Sequence, residues 1–147
     1  MITDVNPLNF LLDAAKGHPQ RAMLLAHRMW EEVPKGKDAT LEHWQAAHRS
    51  ALAELHPEFD SEWRLFDAAE KRTLRAVIAG EGSPYRAAVL ERLALTKTMA
   101  QKALDRLRAT AEVEAEGGKQ VVVDPLLAEW IQRLNAGSAE AESPDDL

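Results

Sequence analysis

The side chains best suited to chemistry in this chain are basic and amide groups gathered between positions 97 and 119. Lys97, Thr98, Gln101, Lys102, Arg106 and Arg108 recur at a spacing that sets them on the outward side of one helix, and Lys119 follows Gly117-Gly118. Thr98 and Gln101, in the amino-terminal half of that helix, can hydrogen-bond base edges, whereas lysines and arginines suit phosphates. These seven are the candidate DNA-binding residues, with Lys119 reaching from a hairpin tip. Against them stand Glu112, Glu114 and Glu116, whose carboxylates would repel a phosphate backbone. Use of the same surface as a protein-interaction or autoinhibitory module is therefore the alternative.

Other chemistries find little support. His43 and His48 lie five apart, so on a helix their directions diverge by ~140° and form no metal face with His27. The chain has no cysteine, which excludes thiolate catalysis, disulfides and cysteine-type zinc sites. No G-x-x-x-x-G-K-[ST] occurs, since Gly80-Glu81-Gly82-Ser83 lacks both the lysine and the length. Ser50, Ser61 and Ser83 sit in no nucleophile elbow. Catalysis by this chain, a cofactor of its own and a metal site are not expected.

The elements that must carry these residues are mostly helical. Asn6-Pro7 opens a helix that Gly17 stops, and Pro19 starts the next, Gln20 to Val33, with Met23, Ala26, Trp30 and Val33 as its inward stripe. Thr40 caps a third, in which Leu41, Trp44, Ala47, Ala51, Leu52 and Leu55 face inward until His56-Pro57 ends it. A fourth starts near Asp60-Ser61 and buries Trp63, Phe66, Leu74, Val77 and Ile78 up to Gly80. Ser83-Pro84 caps a fifth through Leu93, burying Ala87, Leu90 and Leu93. After the short turn 94–97 a sixth runs from Thr98 to Thr110, with Met99, Ala103 and Leu107 inward and Ala100 and Leu104 beside them. Glu112 to Glu116, Gly117-Gly118 and Gln120 to Val123 then read as a β-hairpin. Asp124-Pro125 opens a last helix, whose apolar face is Leu127, Trp130, Ile131 and Leu134.

Helix, helix, short turn, helix, hairpin is the order of a winged helix-turn-helix. The expected architecture is mostly α: a small helical lid-like unit over 1–58, a winged helix over 59–135 with a two-stranded wing, and a disordered acidic tail over 136–147. The 147 residues, 46% hydrophobic, suffice for a core, and no apolar run approaches the ~20 residues of a membrane span. A cytoplasmic protein without membrane contact is expected. Net charge is −6, with 6 basic against 9 acidic side chains over 1–60, 12 against 11 over 61–135, and 4 acidic ones in the tail. The acidic excess therefore lies at the ends, and a local basic patch decides nucleic-acid binding.

The stretches LTKTMAQKALDRLRA (95–109), EVEAEGGKQVVVDP (112–125) and PLLAEWIQRL (125–134) resemble the carboxy-terminal winged helix of bacterial and archaeal AAA-type ATPases of the STAND and origin-recognition-like kind. KGHPQRAMLLAHRMW (16–30) is similar to the helical lid that precedes it, and the resemblance covers about residues 6–135. It implies a non-catalytic, regulatory end of such an ATPase, either cut from it or a stand-alone relative without the motor. ATP and magnesium would belong to the parent core, whose nucleotide state would move the winged helix about a hinge at His56–Asp60. The lid's arginine sensor of nucleotide maps poorly: Gly17 and Pro19 match its turn, Gln20 takes the arginine's place, and Arg21 follows as a candidate. DNA, the ATPase core or another protein domain, and a second copy are the expected partners. A further alternative is a stand-alone, dimeric transcription regulator.

Overall fold

The computed structural model describes residues 6–141, which form seven helices and one hairpin, in two compact units, Met1–Phe59 and Asp60–Leu147. In the first unit α1 (Pro7–Ala15) begins at Asn6, whose Oδ1 accepts from the Leu8 N–H at 3.0 Å. Lys16 and Gly17, both at positive φ, turn the chain into α2 (Pro19–Glu32). There His18 Nδ1 caps the helix by accepting from the Arg21 N–H at 3.3 Å. Helix α3 (Leu41–Leu65) starts at Thr40, whose Oγ1 accepts from the His43 N–H while His43 Nδ1 accepts from the Thr40 N–H. Arg28 ties α2 to α3 through Glu54 at 2.6 Å and to its own helix through Glu31 at 3.0 Å. The core of this unit is Leu11, Ala15, Leu25, Trp44, Ala47, Ala51, Leu52, Leu55 and Phe59.

Two expectations fail here. The stripe Met23, Ala26, Trp30, Val33 is not the inward face of α2; Leu25 is the buried residue, and Met23 and Trp30 are 74% and 80% exposed. An alternative stripe of Ala22, Leu25 and Met29 fits the same period, and the packing of α1 selects it over the more apolar one. His56-Pro57 does not end α3, which continues to Leu65. A proline removes one helical N–H, here the one that would reach the Ala53 carbonyl. Burial of Leu52, Leu55 and Phe59 on both sides of it offsets that cost.

In the second unit the break comes at Phe66-Asp67, later than Asp60-Ser61. Asp67 and Glu70 form a capping box at the start of α4 (Ala68–Ala79). The next helix is also later: Ser83 and Pro84 lie in the turn, and α5 (Ala87–Arg92) begins after Arg86 without a side-chain cap. Thr96 caps α6 (Lys97–Ala109), whose buried stripe is Ala100, Ala103, Leu104 and Leu107, with Met99 left 37% exposed. The hairpin follows: β1 (Val113–Glu116) pairs antiparallel with β2 (Lys119–Val122), Glu116 opposite Lys119. Gly117 and Gly118 both have positive φ, as a two-residue hairpin turn requires. In α7 (Pro125–Ala141) Asp124 Oδ1 accepts from the N–H groups of Leu126 and Leu127. The helix extends past Asn135 to Ala141, where a disordered tail was expected; residues 142–147 of that tail lie outside the described residues.

The core of this unit is formed by Leu74, Val77, Leu104, Leu107, Val113, Val122, Leu126, Leu127 and Ile131, all nearly inaccessible, with Trp130 set edge-on to Trp63 at 5.7 Å between ring centroids. The chain is thus mostly helical with a small antiparallel sheet, compatible with a helical unit followed by a hairpin wing. Among the described residues no helix is long and apolar enough to cross a membrane.

The hairpin is fastened to the α4–α5 turn by the Gln120 N–H donating to the Gly82 carbonyl at 2.9 Å. Gly82 has φ +92°, and a Cβ there would stand 2.8 Å from Lys119 Cβ and 3.2 Å from the Gln120 carbonyl oxygen. Gly82→Ala therefore combines backbone strain with a clash, and should cost about 2 kcal/mol in urea unfolding. Gly137→Ala, in α7 with nothing within 4 Å of a new Cβ, should instead stabilise by roughly 0.5 kcal/mol.

Candidate nucleic-acid interface

The orientation of α6 follows from its buried stripe. With ~100° between successive residues, the side opposite Ala100, Ala103, Leu104 and Leu107 carries Thr98, Lys102, Asp105 and Ala109. Thr98, Gln101 and Lys102 are all exposed. Lys97 begins the helix with its Nζ 5.6 Å from the ring centroid of Tyr85, in the α4–α5 turn. That contact holds the lysine at the helix start.

The remaining basic residues of α6 are engaged within the unit. Arg106 lies on the α4 side, where one of its terminal amino groups contacts Asp67 at 3.1 Å and its Nε lies 3.7 Å from Glu70. It thereby braces the capping box of α4, and is not one of the outward-facing contacts. The backbone N–H of Glu70 and the Arg106 guanidinium hold the Asp67 carboxyl below its usual range. Arg108 lies on the hairpin side: its Nε donates to Gln120 Oε1 at 3.0 Å, and Asp105 stands 3.5 Å away. It bridges α6 to β2 before it could reach a ligand. Lys119 is exposed near the hairpin tip, with its stem against Gly82 and Glu116 opposite it. The geometry thus sets Thr98, Gln101 and Lys102 toward the outward side of α6, places Lys97 at the helix start beside Tyr85, ~140° round from Lys102, and leaves Lys119 at the wing.

Arg21 belongs to the first unit and lies elsewhere in character. It is half-buried, with its guanidinium carbon 5.7 Å from the centroid of the Phe59 ring. This contact covers an aromatic core residue, which is a packing role. The histidines are likewise occupied: His18 and His43 cap helices, His27 meets Glu31 at 3.0 Å, and the His48 ring stacks on Trp44 at 5.0 Å. Among the described residues no group of three or more potential ligands could hold a metal ion.

Sequence reasoning passed over two further features. Tyr85 is the one tyrosine of the chain, and no periodicity marks it, because it sits in a turn. Arg75, on α4, is half-buried; its Nε donates to Asn135 Oδ1 at 2.7 Å and its carbonyl accepts from Asn135 Nδ2 at 3.3 Å. Burial and the nearby Arg92 both lower its pKa. Its side-chain partner is thus an amide on α7, not a carboxylate. Arg72 reaches the Ala94 carbonyl at 3.5 Å, beside the turn that leads into α6.

Glu112, at the base of the wing, is half-buried, and desolvation raises its carboxyl pKa, with Glu62 and Asp124 adding to the effect. A carboxyl with a folded pKa above its unfolded one binds its proton more tightly when folded. It therefore costs stability above the folded pKa, and that cost vanishes below the unfolded value of about 4.5. Glu112→Gln should accordingly raise Tm by roughly 1–2 °C at pH 7 and leave it unchanged at about pH 4 in a thermal melt. No protein-family model matches the chain, nor does any curated protein or solved structure.

Proposed function

We propose that the second unit binds duplex DNA through the outward face of α6, using the hairpin as a wing, and that the chain itself is non-catalytic. The observation that carries this reading is the grouping of Lys97, Thr98, Gln101 and Lys102, all exposed, on the first two turns of a helix that follows a short turn from α5. Thr98 and Gln101 have the donor and acceptor groups that base edges require, while Lys97, Lys102 and Lys119 suit phosphates. The resemblance to the carboxy-terminal region of AAA-type ATPases extends the proposal. The nucleotide state of an ATP-holding core would then decide when this unit engages DNA.

A second reading, contact with a protein, is favoured by the exposed Glu114 and Glu116 on β1 and by the internal pairing of Arg106 and Arg108. With few free cations, phosphate contacts number about three, and the salt dependence separates the two readings. Fluorescence anisotropy of a labelled random duplex should show binding about 40-fold weaker at ~200 mM than at ~50 mM salt. Lys97→Glu with Lys102→Glu should weaken binding at least roughly tenfold, and Arg106→Ala should lower Tm but leave affinity within about twofold. Absence of binding at the lower salt would favour the protein-contact reading.

A further inference from the structure

Arginines gather on the side of α4 that is turned from the core. The buried residues of this helix are Thr73, Leu74, Ala76 and Val77. At ~100° per residue the opposite side carries Lys71 and Arg75, with Arg72 ~60° round from Arg75. Apolar packing brings the end of α5 to the same place. Ala76 is buried in one cluster with Leu93 and Leu95, and Val89 and Leu90 pack against it. Arg75 precedes Ala76 in the chain and Arg92 precedes Leu93, so the two arginines stand beside one helix contact. Arg72 approaches the same turn and donates to the Ala94 carbonyl at 3.5 Å, a bond long enough to be exchanged for a better acceptor.

Among the described residues, none of Arg72, Arg75 and Arg92 is paired with a carboxylate. Arg75 is instead fixed through Nε by the Asn135 amide, and its two terminal amino groups make no hydrogen bond among the described residues. Half-burial and the charge of Arg92 both work against its ionised form, yet an arginine stays charged. Like charges held close and partly out of water are relieved by an anion. We propose that Arg72, Arg75 and Arg92 form a binding site for a phosphate group. Arg75 offers a pre-set fork of two donors, the geometry that phosphate oxygens accept in pairs. Arg72 and Arg92 add donors from either side, and a phosphate group carries nearly two charges and several acceptor oxygens to meet them. A free phosphate, inorganic or on a small molecule, is the source the orientation favours. Helix α6 packs on the buried side of α4, so the arginines face away from the surface assigned to DNA. The inference therefore does not rest on the DNA reading.

The full chain, labelled with nitrogen-15, can be titrated with inorganic phosphate to ~20 mM, with chloride adjusted to hold ionic strength constant. The Arg75 Nε–H signal and the amides of 72–76 and 92–95 should shift along one saturable curve, with a Kd of about 1 mM. Arg92→Gln, at an exposed position, should raise that Kd at least roughly fivefold with an unchanged circular dichroism spectrum. Asn135→Asp sets a carboxylate against Arg75 in nearly the same volume, and should raise the Kd at least roughly tenfold while helix content is kept. A random duplex in place of phosphate should leave these signals unmoved. If it moves them as phosphate does, the site stands and nucleic-acid backbone is its phosphate source. Shifts that stay linear to ~20 mM overturn the proposal, and so does a Kd indifferent to both variants.

Discussion

The second unit depends on one burial: Ala100, Ala103, Leu104 and Leu107 of α6 are removed from water, with α4 behind them. Each buried leucine contributes about 2 kcal/mol, and two alanines between them let the helix sit close. Once that stripe is turned inward, the helical repeat leaves no freedom for the rest. Thr98 and Lys102 must face out, Arg106 must lie toward α4, and Arg108 toward the hairpin. What the unit can present to a partner is thus fixed by the residues a partner would never touch.

The hairpin is held by a different kind of interaction. A two-stranded ribbon is barely stable alone. Here Val113 and Val122 enter the core, the Gln120 N–H pairs with Gly82, and Arg108 reaches Gln120 from α6. Those ties consume one basic residue of α6, and the capping box of α4 consumes another. The outward charge is therefore smaller than a count of lysines and arginines suggests.

The first unit is built on a narrower core, and its apolar surface exceeds what three helices can cover. Leu25 and Phe59 are wholly buried, while Met23 and Trp30 are not. Two apolar stripes compete on α2, and only one can meet α1 and α3. The choice went to the stripe of smaller residues, which fit a close helix–helix contact. The bulkier one was left facing solvent.

The sequence by itself determined the local features whose causes are local. Asn6-Pro7, Pro19, Thr40 and Asp124-Pro125 mark helix starts because their side chains or fixed φ satisfy first-turn N–H groups without help from elsewhere. Gly117-Gly118 between alternating residues marks the hairpin for the same reason. Tertiary structure decided the rest. It carried α3 through Pro57, because burial on both sides outweighed one lost hydrogen bond. It chose the inward face of α2, paired Arg106 with Asp67 across 39 positions, and brought Tyr85 beside Lys97. These outcomes depend on which distant surfaces meet, and helical spacing gives the periodicity of a face without saying what will cover it.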